Sequence, residues 1–127
     1  MSTAERRRFT RLPFHSKGTL LDPVERREFP FELEDISLKG ALAYLSEADA
    51  RFCTTLPVHR ELQFDLILPA AEQDIQATAV IVHTRDRSVG LEFTLIDIDS
   101  ITMLRRLLEL NTGDPEIVDR EIRELGH

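Results

Sequence analysis

Apolar and polar residues alternate along much of this chain, and the repeat is two residues long. That period is typical of a β-strand that buries one face and exposes the other. Six segments have this period or are bounded by turn residues as strands are: residues 14–21, 28–36, 41–45, 62–68, 75–83 and 91–95. Six short strands with hairpin-like spacing predict a mainly β protein whose strands form a closed or nearly closed antiparallel barrel.

The segments between these strands are predicted to be turns and loops. Asp22-Pro23 ends the first strand, and residues 84–88 form a hairpin loop before the last one. Pro30 has no N–H for a strand ladder, so the early part of the second strand is expected at an edge or a bulge. Residues 46–60 have no clean period and are predicted to be a loop, with at most one helical turn around residues 47–51.

The repeat lengthens to three or four residues near the C-terminus, which predicts helices. The first helix is expected to have Asp97 or Asp99 as its N-cap and to end at Gly113. A second helix is expected to begin at residues 114–116, where proline occupies the first turn. Their apolar stripes are expected to pack against the barrel or each other, and consist of Ile101, Leu104, Leu107 and Leu108, then Val118, Ile122 and Leu125.

Length and composition describe one folded domain. The chain has 127 residues, of which 42% are hydrophobic and 31% charged, and this balance excludes disorder as a description of the whole. A single cysteine, Cys53, cannot form an internal disulfide, which fits a reducing compartment. We see no signal peptide and no apolar run near the roughly 20 residues that a spanning helix needs. A cytoplasmic protein with no membrane segment is therefore expected.

Charge is distributed unevenly along the chain. The net charge is −7, yet residues 1–11 carry +3 and the remaining 116 residues carry −10. Four arginines fall within six positions of this N-terminal arm: Arg6, Arg7, Arg8 and Arg11. Mutual repulsion would help to keep such a segment mobile until an anion binds. A charge run of this kind is usually a solvated tail, so it needs a second motif to indicate a site.

Two short motifs flank the first predicted strand. Arg7 and Arg11 have Arg-x-x-x-Arg spacing, and Asp35, Ser37 and Gly40 have Asp-x-Ser-x-x-Gly spacing at the end of the second strand. Each motif alone is weak, because arginine pairs and Asp/Ser/Gly turns are common. Their order, followed by β-rich sequence and a terminal helix, is much more specific.

The pair of motifs resembles the signature of the PilZ family, whose members bind the bacterial second messenger cyclic di-GMP. The resemblance covers the whole chain and implies one PilZ domain. Its parts would be an arginine-rich ligand-binding arm at 1–11, a six-stranded barrel at 12–96 and C-terminal helices at 97–127. It also implies that Arg7 and Arg11 clamp the ligand. In this family the residue before the arginine motif influences ligand number, so Arg6 is expected to favour a stacked ligand pair.

The residue types suit that ligand. Guanidinium is planar and forked, so arginine can grip a phosphate or the O6 and N7 edge of guanine and can stack on a purine. The carboxylate of Asp35 can accept from guanine N1–H and N2–H, and Ser37 can donate or accept. Gly40 is expected to permit close approach of the ligand or a positive φ. The alternative for these last three residues is a purely structural turn.

Three further residues are candidate contacts. Many PilZ domains have a bulky residue on the strand before the last hairpin, and the matching position here is His83, followed by Arg85. His83 ends an otherwise apolar face in the alternating pattern, so a hydrogen-bonded histidine at the barrel rim is an equal alternative. Arg8 either contacts ligand or faces solvent between the two motif arginines.

Other classes of function are less well supported. We find no Cys-x-x-Cys, His-Glu-x-x-His or glycine-rich phosphate loop, so neither an enzyme nor a metal or catalytic cofactor is expected. An acidic barrel without a row of stacking aromatics argues against nucleic acid polymers. The expected function is a monomeric cyclic di-GMP receptor that changes conformation and signals to an unidentified downstream effector protein. The alternative is a PilZ-like adaptor that acts only through protein contacts.

Overall fold

A computed structural model describes residues 12–13, 16–68 and 74–112. The strands are β1 (Leu12–Pro13), β2 (Lys17–Asp22), β3 (Arg27–Ile36), β4 (Gly40–Leu45), β5 (Leu62–Leu66), β6 (Ile75–Arg85) and β7 (Ser88–Ile96). The helices are α1 (Glu47–Cys53), between β4 and β5, and α2 (Ile98–Thr112), after β7. The predicted second C-terminal helix and its stripe of Val118, Ile122 and Leu125 lie outside the described residues.

The six longer strands close into an antiparallel barrel. Their order is β3, β2, β5, β6, β7, β4, and the pairing of β3 with β4 completes the ring. The predicted six-stranded antiparallel barrel is therefore confirmed. The two-residue strand β1 pairs with β3 outside this ring, with Leu12 opposite Ile36 and Pro13 opposite Asp35. A seventh, very short strand was not predicted, because two residues carry no detectable period.

The strand ends differ from the sequence prediction in one informative place. The connection between β6 and β7 is a two-residue turn, Asp86-Arg87, and Asp86 has φ 55°. The predicted five-residue loop at 84–88 is therefore wrong, because Arg85 and Ser88 are paired with each other. Positive φ at an aspartate is tolerated in tight hairpin turns. As a result, His83 and Arg85 lie on a strand rather than at its end and in a loop.

Pro30 fits the edge that was predicted for it. It pairs with Thr19 of β2, but the ladder between β3 and β4 begins only at Phe31, opposite Leu45. The bulge of β3 lies further along, between Leu33 and Asp35. The missing N–H of proline is thus placed where β3 has a single neighbouring strand.

Inward-facing side chains of all six barrel strands form one core. Its largest fully buried members are Phe29, Phe64, Leu20, Leu33, Ile36, Leu38, Leu45, Leu62, Leu66, Ile75, Leu91 and Leu104. The helix α1 is longer than the single turn expected, and its N-cap is Ser46, whose side chain accepts from the N–H of Asp49. It buries Ala50 and Cys53 against the barrel.

The helix α2 is fixed to the barrel at its N-terminus. Asp97 is the N-cap: its carboxylate accepts from the N–H of Ser100 at 3.2 Å, and its carbonyl accepts from Ile101. The buried hydroxyl of Ser100 accepts from the N–H of Gln76 on β6 at 2.9 Å. Leu104 and Leu108 enter the core, as the predicted apolar stripe required. None of the helices in the described ranges is long and apolar enough to cross a bilayer.

Candidate ligand-binding site

One row of paired residues crosses β1 and four barrel strands and contains two of the predicted site residues. From β1 to β6 it consists of Pro13, Asp35, Leu42, Gly90 and His83. Residues paired across antiparallel strands lie on the same face of the sheet. Because Ile36, the neighbour of Asp35, is fully buried in the core, the row lies on the outer face of the barrel. The outer surface of β3, β4, β7 and β6 around this row is hereafter called the outer-face site.

Asp35 reaches the outer face because of the β-bulge in β3. Leu33 is 1% exposed and faces the core, so strict alternation would turn Asp35 inward as well. The register shift between Leu33 and Asp35 adds one residue, which leaves Glu34 exposed and Asp35 half-buried before Ile36 returns to the core. A β-bulge commonly re-aims a side chain in this way. The motif aspartate is thereby available at the surface.

A second bulge gives His83 its position. The register shifts between Ile81 and His83, so that Val82 is extra and exposed while His83 pairs with Gly90. The expectation that His83 ends an apolar alternating face is therefore wrong: its side chain is exposed, with no hydrogen bond to another described residue. A Cβ atom added to Gly90 would overlap the His83 imidazole. The ring consequently leans from β6 across β7, toward β4 and Asp35.

Ser37 and Gly40 hold the turn between β3 and β4. Ser37 is 1% exposed, and its hydroxyl oxygen accepts from the N–H groups of Lys39 at 3.2 Å and Gly40 at 3.3 Å. Its own N–H donates to the Gly40 carbonyl at 2.8 Å. These contacts favour the structural role that sequence left open for Ser37, and direct contact of its hydroxyl with a ligand stays a prediction.

The neighbouring strand β7 leaves no space for a side chain at Gly40. A Cβ atom at this position would overlap the carbonyl oxygen of Leu91 and lie 3.0 Å from its carbonyl carbon. The backbone of Gly40 does not adopt the left-handed region, so the expected positive φ is wrong. The close approach that glycine permits here is between β4 and β7, two strands that both contribute to the outer-face site.

A second row lies two residues further along the same face. It consists of Lys17, Glu32, Tyr44, Ser88 and Arg85. Arg85 is exposed, as a ligand-contacting residue would be. Sequence reasoning missed Tyr44, because the segment Ala-Leu-Ala-Tyr-Leu contains no charged residue to distinguish the outer face from the inner one. It also missed Arg87, whose guanidinium carbon lies 4.3 Å from the centre of the Tyr44 ring.

The arginines of the arm, Arg6, Arg7, Arg8 and Arg11, lie outside the described residues. The described chain begins with the residue that follows Arg11 in sequence. This residue, Leu12, is paired with Ile36, so their Cα atoms are about 5 Å apart. Ile36 lies between the motif residues Asp35 and Ser37.

The described part of the outer-face site has no excess of positive charge. The residues beside its two rows include four acids, Glu32, Glu34, Asp35 and Asp86, and three bases, Lys17, Arg85 and Arg87. A ligand with two negative charges would gain little from such a surface alone.

Another groove, on the outer surface of β2, β5 and β6, is less suited to an anion. It is lined by Glu28, Asp65 and Asp97 together with uncharged residues. Burial of Asp65 and the neighbouring negative charge of Asp74 raise the pKa of Asp65, so an added anion would be further disfavoured. The outer-face site, which contains Asp35 and His83, is therefore the better candidate for an anionic ligand.

Catalytic chemistry finds little support in the described residues. Burial raises the pKa of the Cys53 thiol to about 11, so it stays protonated and unreactive at neutral pH. No group of three or more histidine, cysteine, aspartate or glutamate side chains that could hold a metal ion occurs in residues 12–13, 16–68 or 74–112.

The chain is similar to one known protein family and to several solved structures. The family model of the PilZ domain matches residues 5–110, which include both motifs. The PilZ domain of CeSA from a cellulose-synthesizing bacterium is similar, with 15% identity, TM-score 0.61 and coverage of 77% of this chain and 93% of that one.

Two similar structures contain cyclic di-GMP. The PilZ domain of YcgR from Escherichia coli with c-di-GMP has 16% identity and TM-score 0.60, covering 95% of this chain and 97% of that one. The MrkH-c-di-GMP complex of K. pneumonia has 18% identity and TM-score 0.61, covering 86% of this chain and 55% of that one. Because the sequence identities are only 15–18%, these similarities establish a shared fold and nothing further.

Proposed function

Because this chain belongs to the PilZ domain family, we propose that it is a receptor for cyclic di-GMP that acts by binding and not by catalysis. The ligand would lie on the outer-face site, between the arginine-rich arm and the row from Asp35 to His83. The YcgR PilZ domain and MrkH, which share this fold, are both found with c-di-GMP, and this supports the choice of ligand.

The observation that carries the proposal is the pairing of β1 with β3. Arg11 is followed directly by Leu12, which pairs with Ile36 between Asp35 and Ser37. Leu12, the residue next to the first motif, therefore lies beside the second motif, although Arg11 and Asp35 are 24 residues apart in sequence. This pairing is separate from the closure of the barrel, since β1 lies outside the ring of six strands.

Each predicted residue has a defined part in this proposal. Arg7 and Arg11 clamp phosphate and guanine through bidentate hydrogen bonds, and Arg6 and Arg8 add contacts from the same arm. Asp35 accepts from the N1–H and N2–H groups of one guanine. Ser37 holds the turn between β3 and β4, and Gly40 allows β4 to approach β7. His83 covers a guanine face, and Arg85 contacts the ligand beside His83.

The signalling step that we propose is an ordering of the arm. Two stacked cyclic di-GMP molecules concentrate four negative charges, which would attract residues 1–11 onto the barrel. The entropy lost by the arm is offset by the new charge-assisted contacts. The covered barrel surface and the C-terminal helices at 97–127 would then present a different surface to a downstream effector protein. We further propose that the receptor is a monomer in the cytoplasm.

Calorimetric titration with cyclic di-GMP tests the proposed function. We expect micromolar or tighter binding, and a loss of roughly 10- to 150-fold in affinity for Arg7→Ala or Arg11→Ala, because each removes a charged bidentate contact worth about 1.5–3 kcal/mol. Arg51→Ala is the matched control, since Arg51 is an exposed residue of α1 paired with Glu47. It removes the same charge outside the outer-face site.

Nucleotide controls separate guanine recognition from charge. Cyclic di-AMP has the same two phosphates but lacks the O6 acceptor and N2 donor, so it should bind at least about tenfold more weakly. Phosphate contacts should weaken as salt rises. If the parent protein binds neither nucleotide, the adaptor alternative replaces the receptor. Parental affinity in both Arg7→Ala and Arg11→Ala would overturn the assignment of the site.

A further inference from the structure

Tyr44 and Arg87 form a stacked pair at the border of the outer-face site. Arg87 lies in the turn between β6 and β7, and its guanidinium carbon is 4.3 Å from the centre of the Tyr44 ring. Its Nε group donates to the Leu45 carbonyl at 2.8 Å, and the Arg87 carbonyl accepts from the Leu45 N–H at 2.9 Å. The ring and the two hydrogen bonds together fix an arginine that is otherwise exposed.

This arrangement leaves the terminal nitrogens of Arg87 available. Only its Nε group has a hydrogen-bond acceptor among the described residues, and no carboxylate there forms an ion pair with it. The guanidinium carbon lies over the Tyr44 ring, while the side of the group away from the ring is open to solvent because Arg87 is exposed. An arginine side chain ordinarily loses considerable rotamer freedom when it binds a ligand. Here most of that freedom is already lost in the free protein.

The position of the pair is suited to ligand contact. Tyr44 lies two residues after Leu42 on the same face of β4, a separation of about 7 Å. Leu42 is paired with both Asp35 and Gly90, in the row that contains the motif aspartate and His83. β1 lies toward the opposite end of β4, where Leu12 pairs with Ile36 and Ile36 with Ala41. A ligand that contacts the row from Asp35 to His83 would therefore lie beside the Tyr44–Arg87 pair.

We propose that Arg87, held over the Tyr44 ring, is a further ligand-contacting residue whose solvent-facing side stacks on a guanine of cyclic di-GMP. The inference rests on the proposed receptor function and extends it by a further base-contacting residue. A planar cation stacks on a purine face, whereas the compact ammonium group of lysine cannot do so. Arg87 thus recognises the base, and its contribution does not depend on the phosphates.

Titration of five variants with cyclic di-GMP at one salt concentration tests this role. Stacking on a base is expected to contribute about 5- to 50-fold in affinity, so Arg87→Ala should lose that factor. Arg87→Lys keeps the charge but not the plane, and should lose nearly as much. Tyr44→Leu should weaken binding because the guanidinium is released, whereas Tyr44→Phe keeps the ring and should bind like the parent. Arg51→Ala is again the control for charge.

A measurement on the parent protein removes any dependence on variant folding. The Nε–Hε resonance of Arg87 should shift on saturation with cyclic di-GMP, because a stacked guanine imposes a ring-current field. If the parent binds and Arg11→Ala weakens binding, but Arg87→Lys and Arg87→Ala match the parent, the role of Arg87 is wrong and the receptor function stands. An Nε–Hε resonance that does not shift on saturation also overturns the role of Arg87. A parent protein that fails to bind overturns both proposals.

Discussion

Single residues in this barrel are constrained by what lies directly opposite them, and two glycines illustrate the point. An added Cβ at Gly40 would overlap the Leu91 backbone carbonyl, whereas one at Gly90 would overlap the His83 side chain. Backbone in a closed barrel cannot move without breaking ladder hydrogen bonds, but an exposed imidazole can rotate away. The same chemical change should therefore affect folding at one position and the site at the other.

We predict that Gly40→Ala lowers the free energy of unfolding by about 1–3 kcal/mol, as overpacking typically does. Gly90→Ala should change it by less than about 1 kcal/mol, because the imidazole gives way and an alanine fits a strand better than glycine. Urea denaturation of both variants measures the difference. The Hε1 resonance of His83 should shift in Gly90→Ala only. Equal stability losses in the two variants would contradict this account.

The motif residues were predictable from sequence, but their physical roles were only partly so. Asp35 could be chosen because its spacing from Ser37 and Gly40 is distinctive. The closeness of Gly40 to Leu91 depends on the pairing of β4 with β7, which joins residues some fifty positions apart. The outward direction of Asp35 depends on a bulge that no local pattern reveals. Tertiary pairing, not residue type, decides both properties.

At the scale of secondary-structure elements, the N-terminus of α2 combines a cap with an attachment to the barrel. The Asp97 carboxylate accepts from Ser100, whose hydroxyl also accepts from the N–H of Gln76 on β6. Hydrogen bonding from the Ser100 side chain holds the pKa of Asp97 below its ordinary value of 3.8. A carboxylate with a lowered pKa stabilises the folded state above its unfolded pKa, and this stabilisation is lost as pH falls through the folded one.

We predict that Asp97→Asn flattens the acid limb of the stability profile. Asparagine is a good N-cap at any pH but carries no charge. The parent should lose stability relative to this variant as pH falls below about 4, and the two should differ little in pH dependence from pH 5 to 7. Thermal unfolding at half-unit pH intervals measures this. A parallel pH dependence of parent and Asp97→Asn down to pH 3 would show that this carboxylate is not involved.

The elements that sequence predicted best are those with long, regular periods. The apolar stripe of α2 and the alternation of β5 were sufficient to predict both elements. β6 was harder, because its two register shifts, between Thr78 and Ala79 and between Ile81 and His83, each interrupt the alternation. Interrupted alternation placed His83 on the wrong face. α1 was predicted as one turn at most because seven residues are too few to establish a helical repeat.

For the whole molecule, the main feature is a positively charged arm on an acidic body. The arm carries +3 and the remainder −10, so a ligand that binds both must be negatively charged toward the arm and rich in hydrogen-bond donors toward Asp35. Cyclic di-GMP has both properties, through its phosphates and its guanine edges. We expect the number of cyclic di-GMP molecules bound per chain to depend on how many arginines of the arm can each contact a ligand.

We predict two cyclic di-GMP molecules per chain in the parent protein, because Arg6 gains a partner only when a second ligand is present. Arg6→Leu should lower the calorimetric endpoint to one. Amide exchange of residues 5–11 should slow on saturation, since the arm is ordered by the ligand pair. An endpoint of one that Arg6→Leu does not change would contradict the paired ligand. Unchanged exchange in the arm would contradict the ordering step.

The row that forms the outer-face site has a consequence for how the protein matures. Asp35 and Leu42 come from the first half of the chain, and Gly90 and His83 from the second, so the row crosses the seam where β4 meets β7. Closing that seam joins segments more than 40 residues apart in sequence, a loop whose entropy must be overcome before its contacts form. A nascent or partly folded chain therefore contains both sequence motifs without the complete site. If the proposed site is correct, only a closed barrel presents the complete binding surface, so cyclic di-GMP would bind to correctly folded copies alone.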